Sequence, residues 1–190
     1  MRGDPASDRV WTVPNLLSAA RFALSVIAFW LIARQAWAAA TVVFVVAAST
    51  DSIDGWYARK FNQISRLGRI FDPLVDKILV CGAFILVAVP AGPIQPWMAV
   101  LVVVRELVVT ALRAELERAG TDFSATLAGK LKMVLQCVAV GLVLAARAWP
   151  ELAPEPVTLA TAAGWATWAA VISTVWSGLE YLWAARSLVR

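Results

Sequence analysis

Long apolar runs alternate with short polar punctuation along this chain. Residues 15–33, 37–57, 67–89, 96–117, 126–146 and 157–188 each hold about 20 or more mostly apolar positions, enough to cross a bilayer's hydrocarbon core as a helix. Backbone groups in lipid must bond internally, which a helix does within one segment. A closed barrel would show short alternating strands, and the pattern has none. The expectation is an all-α integral membrane bundle of six transmembrane helices. Residues 1–14 form a cytoplasmic N-terminal segment and residues 15–188 the membrane domain. Turn chemistry falls between the runs: Pro90-Ala91-Gly92-Pro93 with Pro96, the stretch from Pro150 to Pro156, and the charged residues 117–124 around Gly120. No repeat or low-complexity tract interrupts them. The first run has no A-x-A-like cut site after it, so no cleavable signal peptide is expected.

Composition sharpens this picture. The chain is 61% hydrophobic, with a mean hydropathy of +0.72. Its net charge of +4 would suggest nucleic acid in a soluble protein, but the basic residues follow a topological rule instead. Arg2 and Arg9 precede the first run. Arg59, Lys60, Arg66 and Arg69 join the second to the third, Arg113, Arg118, Lys130 and Lys132 the fourth to the fifth, and Arg186 and Arg190 end the chain. The other connections have only Arg34 and Arg147 nearby. This bias puts both termini on the cytoplasmic side of a bacterial-type inner membrane, as an even number of spans requires. Trp37, Trp97 and Trp149 fall near the outer boundary and Trp11, Trp56 and Trp183 near the inner one. No nucleic-acid partner is expected. There is no histidine, which excludes Ser-His-Asp triads, Cys-His dyads and His-ligated zinc. Cys81 and Cys137 lie in apolar runs and are expected to be buried thiols.

The candidate chemistry lies in DSIDGWYARKFNQISRLGRIFDPLVDK, residues 51–77. Asp51 and Asp54 are three apart and Asp72 and Asp76 four apart, so each pair shares a helix face. Gly68 continues the second line, and Gly55 and Ala58 keep the end of the first slim enough for close approach. A carboxylate costs about 2.5–3.5 kcal/mol at mid-bilayer. Four together face water and bind cations, or some are protonated. The bland alternative is end-of-helix acids paired with Arg59, Lys60 and Lys77. An all-oxygen donor set of this kind suits a hard cation such as Mg²⁺ or Mn²⁺.

The spacing Asp51-x-x-Asp54-Gly55-x-x-Ala58-Arg59, eight residues, then Gly68-x-x-x-Asp72-x-x-x-Asp76 resembles the signature of the CDP-alcohol phosphotransferase family, with every signature position filled. The resemblance implies six membrane helices, a homodimer, and transfer of a phosphate-bearing group from a CDP-linked donor to an alcohol with release of CMP. It implies a site for two divalent ions, with Asp51, Asp54, Asp72 and Asp76 as ligands and Asp76 also the catalytic base on the acceptor hydroxyl. Asp51, Asp54, Gly55, Ala58, Arg59, Gly68 and Asp72 would bind the CDP donor, the small residues making room for cytidine and Arg59 meeting phosphate. Neighbouring carboxylates and burial push an aspartate towards protonation, while bound metal pushes the other way.

A second constellation bears on the acceptor. Arg105 and Glu106 lie well inside the fourth run, where polar groups are functional candidates. Arg113 is eight residues on, about two turns, and Lys130 and Lys132 open the fifth run on the same cytoplasmic side. Such cations would bind the phosphate of a phosphorylated acceptor. The alternative is ordinary positive-inside charge plus one buried ion pair, with Glu106 neutralising Arg105. Arg105-Glu106, Ala111-Leu112-Arg113, Gly129-Lys130-x-Lys132 and Gln136 are similar to the branch of the family that uses sn-glycerol 3-phosphate. So is the opening VPNLLSAAR, which carries Asn15 and Arg21. Leu131, Met133 and Ala111 depart from that branch's usual residues, and the last third is similar only in hydropathy. The expected reaction moves the phosphatidyl group of CDP-diacylglycerol to sn-glycerol 3-phosphate. It gives phosphatidylglycerophosphate and CMP at a cytoplasm-facing site, with the lipid tails in the bilayer. The alternatives are another acceptor (inositol phosphate, serine or a phospholipid), a cation transporter, and an inactive scaffold. Transport would spread acids across the membrane, whereas these cluster at one side.

Overall fold

The computed structural model describes the backbone of residues 13–61, 66–118, 127–151 and 158–186. Side chains are described within these except at 13–14, 51–61, 66–72, 117 and 127–128. Among the described residues the protein is all-helical. Its six helices are α1 (Val13–Ala33), α2 (Trp37–Phe61), α3 (Arg66–Val87), α4 (Pro96–Arg118), α5 (Leu127–Ala148) and α6 (Leu159–Ala185). Each predicted run is a helix. The largest difference is at the end of α2, which continues four residues past Tyr57 to Phe61. The added residues include Ala58, Arg59 and Lys60, good helix formers that need no apolar face to stay helical. Two segments, Asn15–Ala33 and Gly129–Ala148, are long and apolar enough to cross a membrane, and Trp37–Thr50 is a shorter apolar helix. Charge dilutes the apolar character of α3, with Asp76 and Lys77, and of α4, with Arg105, Glu106 and Arg113.

The chain divides into two compact units, Met1–Leu86 and Val87–Arg190. In the first, α1 packs on α2. Their buried positions are mostly small: Ala28, Ala40 and Ala47 are inaccessible, with Ile32 and Phe44 beside them. Small residues let helix backbones approach closely, which is how helices associate where lipid leaves no hydrophobic drive between them. The α1–α2 turn explains the sharp reversal. Ala36 N–H donates to the Leu31 carbonyl and Gln35 N–H to the Ile32 carbonyl, both at 2.9 Å. With Gln35 at φ 56°, this is the paired bonding of a Schellman cap, a position that favours glycine. In α3, Val75, Leu79, Val80, Ala83 and Phe84 are buried. Gly82 lies under the Phe29 ring of α1, where any Cβ would collide.

In the second unit α6 packs against both α4 and α5. The buried stripe of α6 is Ala163, Thr167, Ala170, Val171, Thr174, Ser177, Tyr181 and Ala185. Its large apolar residues point the other way: Trp165, Ile172, Trp176, Leu179 and Trp183 are all exposed. The helix is thus small and hydroxylated inside and apolar outside, the reverse of a soluble bundle. The hydroxyls are not orphaned. Thr167 donates to the Ala163 carbonyl at 2.8 Å and Thr174 to the Ala170 carbonyl at 2.6 Å, the back-bonding that lets Ser and Thr sit inside helices. Thr158 caps the helix start, its hydroxyl accepting from Thr161 N–H at 3.2 Å. Arg147, near the end of α5, donates to the Val87 carbonyl at 2.7 Å.

Replacing Gln35 by glycine removes the left-handed strain at the α1–α2 turn and is expected to raise stability by about 0.5–1 kcal/mol. Gln35→Val is expected to lower it. Thermal unfolding of the purified chain in detergent reads both.

Candidate functional site

Helices α2 and α3 carry the acidic constellation. The α2 backbone is helical through Asp51, Asp54, Gly55, Ala58 and Arg59, and the α3 backbone through Gly68, Asp72 and Asp76. Asp51 and Asp54 sit about one turn apart on one helix, and so do Asp72 and Asp76 on the other. The side chains of Asp51, Asp54, Gly55, Ala58, Arg59, Gly68 and Asp72 lie outside the described residues. Pro73 stands inside α3, directly after Asp72. Having no N–H, it leaves the carbonyl one turn before it without its helical partner.

Asp76 is described, and it faces α1. Its Oδ1 accepts from Arg21 Nη1 at 2.5 Å, with Arg21 1% and Asp76 19% exposed. Burying an arginine this completely is costly unless a carboxylate and further hydrogen bonds compensate it, so α1 and α3 are tied by charge as well as by packing. Ser25, also inaccessible, back-bonds to the Arg21 carbonyl at 2.8 Å and continues the polar strip of α1. Asn15 opens the same helix, half-buried. A carboxylate has about four lone-pair sites, so the pairing with Arg21 is compatible with a further role for Asp76. Among the described residues no three acidic side chains converge. The donor chemistry of the four aspartates, all oxygen and on two helices, fits a hard divalent ion.

The second unit assembles the cationic constellation around one carboxylate. Glu106 Oε1 accepts from Arg105 Nη1 at 3.0 Å and also from Lys132 Nζ. All three side chains are at least nine-tenths buried. The sequence suggested that Glu106 neutralises Arg105, and the structure adds that it neutralises Lys132 from α5 as well. Glu106 thus meets two cations at once. Arg105 Nη2 donates to Ser177 Oγ of α6 at 2.8 Å. Its Nε is buried and has no hydrogen-bond partner among the described residues. A buried N–H left without an acceptor costs about 1–3 kcal/mol, which a bound anion would recover. Arg113 is half-buried and Lys130 exposed. Lys130 and Lys132, two residues apart, thus face different surroundings, as a helix dictates.

Beyond the expected residues, α6 enters the site. Gln136 Nε2 donates to Thr174 Oγ1 at 2.9 Å, Ser177 receives Arg105, and the Arg105 guanidinium lies 5.8 Å from the centroid of the Tyr181 ring. The signal was present in the sequence: Thr167, Thr174, Ser177 and Tyr181 recur at spacings of seven, three and four, a polar stripe along an apolar helix.

The family model for CDP-alcohol phosphatidyltransferase matches residues 11–176. The chain is 40% identical over 144 residues to a CDP-diacylglycerol–glycerol-3-phosphate 3-phosphatidyltransferase of Bacillus subtilis (strain 168), covering 75% of this chain and 71% of that protein. It is 34% identical over 187 residues to proteins of the same name from Shigella flexneri serotype 5b (strain 8401) and Escherichia coli (strain K12), in each case 93% of this chain and 96% of the relative. The chain belongs to the CDP-alcohol phosphatidyltransferase family, whose members generally depend on a divalent metal.

Breaking either buried pairing should be costly. Arg21→Ala is expected to lower stability by about 3 kcal/mol, with Arg21→Lys losing less because the charge remains. Glu106→Gln is expected to be similarly destabilising, and part of that loss should return when Lys132→Met removes one of the two stranded cations. A double-mutant cycle on unfolding free energy, with an expected coupling of about 1 kcal/mol or more, measures this.

Proposed function

We propose that the chain is a phosphatidyltransferase that moves the phosphatidyl group of CDP-diacylglycerol to sn-glycerol 3-phosphate, giving phosphatidylglycerophosphate and CMP in phospholipid biosynthesis. The carrying observation is the complete signature from Asp51 to Asp76 in a chain 34–40% identical to relatives named for this reaction. The acceptor part is supported by the buried Arg105–Glu106–Lys132 cluster, in which Arg105 Nε has no partner among the described residues. Such a pair of buried cations suits an acceptor that carries phosphate.

The aspartates and the cations then have distinct tasks. Asp51, Asp54, Asp72 and Asp76 would hold two divalent ions, Mg²⁺ or Mn²⁺. When bound, these neutralise the donor's pyrophosphate and stabilise the attacking and leaving oxygens. Gly55, Ala58 and Gly68 leave space for cytidine, and Arg59 binds donor phosphate through charge-assisted hydrogen bonds. Asp76, oriented by Arg21, takes the proton from the acceptor hydroxyl. Arg105 and Lys132 hold the acceptor's phosphate, while Arg113 and Lys130 add positive charge nearer solvent. Asn15 begins the helix that brings Arg21 to Asp76.

The lipid donor requires that the chain reside in a membrane. Each of the six helices has at least 21 residues, hence about 30 Å or more of length. Large apolar side chains are exposed along α1, α2, α4, α5 and α6. Trp97, Trp149 and Trp183 are exposed near helix ends, where indoles anchor to the interface. The reading is six spans in a bacterial-type inner membrane, termini and acidic stretch on the cytoplasmic side, and a homodimer.

The test is CMP release by the purified chain with CDP-diacylglycerol and Mg²⁺, offered glycerol 3-phosphate, inositol phosphate or serine in turn. Release is expected with glycerol 3-phosphate and not with serine. It should fall at least about 100-fold in Asp76→Asn, in line with the usual worth of a general base. Release with another acceptor alone would keep the aspartate site and overturn the acceptor assignment. No release from folded protein with any acceptor would overturn the reaction.

A further inference from the structure

Three residues of α6 converge on one side chain of α4. Ser177 Oγ accepts from Arg105 Nη2 at 2.8 Å. The Tyr181 ring lies against the guanidinium, centroid to Cζ 5.8 Å. Between them in sequence, Gly178 leaves room for the aliphatic stem, since a Cβ there would come within 3.3 Å of Arg105 Cγ. Positions 177, 178 and 181 share a helix face. Ser177 and Tyr181 are themselves buried, at 0% and 4% exposure, and the Ser177 hydroxyl is oriented by its own bond to the Thr174 carbonyl at 3.1 Å. Glu106 holds the remaining terminal nitrogen. The guanidinium is therefore fixed at both ends and against a ring face, while its Nε has no partner among the described residues. The family match ends at residue 176, so all three α6 residues lie past it.

We propose that Ser177, Gly178 and Tyr181 are positioning residues for recognition of the acceptor's phosphate, acting through Arg105. The inference rests on the reading of Arg105 as a ligand of that phosphate. The physical reason is entropic and geometric. An arginine side chain carries about 2 kcal/mol of rotamer entropy, and a guanidinium already held in place surrenders less of it when an anion arrives. The Tyr181 ring adds an attraction that is stronger out of water. Gly178 is needed because a larger residue would push the stem, and with it the planar fork, out of line.

Steady-state kinetics on the full-length chain separates the possibilities, with KM taken for glycerol 3-phosphate and for CDP-diacylglycerol. Ser177→Ala and Tyr181→Leu are expected to raise the glycerol 3-phosphate KM roughly three- to tenfold each, with kcat and the CDP-diacylglycerol KM changing less than about twofold. Tyr181→Phe, which keeps the ring under the guanidinium, is expected to recover most of the loss seen with leucine. Repeated in an Arg105→Lys background, the α6 substitutions should lose their effect, because the group they hold is gone. Additive effects in both backgrounds, or equal effects on both substrates, would mark a merely structural role and overturn the proposal. If Arg105→Lys raises the acceptor KM while the α6 substitutions leave it unchanged, the proposal fails and the acceptor reading of Arg105 stands. If Arg105→Lys leaves that KM unchanged, both fail.

Discussion

A charge buried among apolar helices has to be compensated by another charge or by hydrogen bonds, and this constraint organises both units of the protein. In the first, Arg21 of α1 is almost inaccessible and meets Asp76 of α3. In the second, one oxygen of Glu106 holds Arg105 of its own helix and Lys132 of α5, while α6 takes the other end of Arg105 through Ser177. Apolar packing discriminates less sharply between helix registers, because apolar side chains of similar volume exchange at small cost. A buried ion pair is less forgiving: moving one partner strands the other. The polar groups thus select one arrangement within each unit, and they are also the groups to which the proposed chemistry is assigned.

An unmet donor remains where a phosphate-bearing ligand is expected. Arg105 and Lys132 both meet Glu106, and Arg105 retains an N–H with no acceptor among the described residues. The aspartate constellation is the converse case, four carboxylates gathered on α2 and α3 that a divalent ion would suit. Metal and phosphate sites both gather charged side chains, which is why they could be sought by locating charges along apolar helices.

Much of this was legible in the sequence. Apolar runs predicted six helices, and six are present among the described residues with ends close to those expected, because punctuation by Pro90, Gly92, Pro93 and Pro96 leaves little freedom. The exception, α2, ran on through Ala58 to Phe61 because helix propensity continues where apolarity stops. The family was legible from the fixed spacing of Asp51 to Asp76, and the comparisons bear it out. Partners across helices were not legible. Sequence could set Glu106 beside Arg105, its neighbour, but not beside Lys132, 26 residues away. Arg21 and Asp76 are 55 residues apart, and nothing in one-dimensional spacing joins them. The polar stripe of α6 went unread because serine and threonine in a tryptophan-rich helix look like ordinary membrane composition. It took the positions of α4 and α6 to turn Ser177 and Tyr181 into partners of Arg105.

Equilibrium binding of the acceptor is the most direct test that cations buried among apolar helices recognise its phosphate. Glycerol 3-phosphate and glycerol would be titrated into the purified full-length chain with Mg²⁺ and CMP present, and the bound fraction followed by calorimetry. Saturable binding of glycerol 3-phosphate is expected, none of glycerol over the same range, and at least about tenfold weaker binding in Lys132→Met, consistent with loss of a charge-assisted contact. Equal binding of glycerol and glycerol 3-phosphate, or undiminished phosphate binding in Lys132→Met, would contradict it.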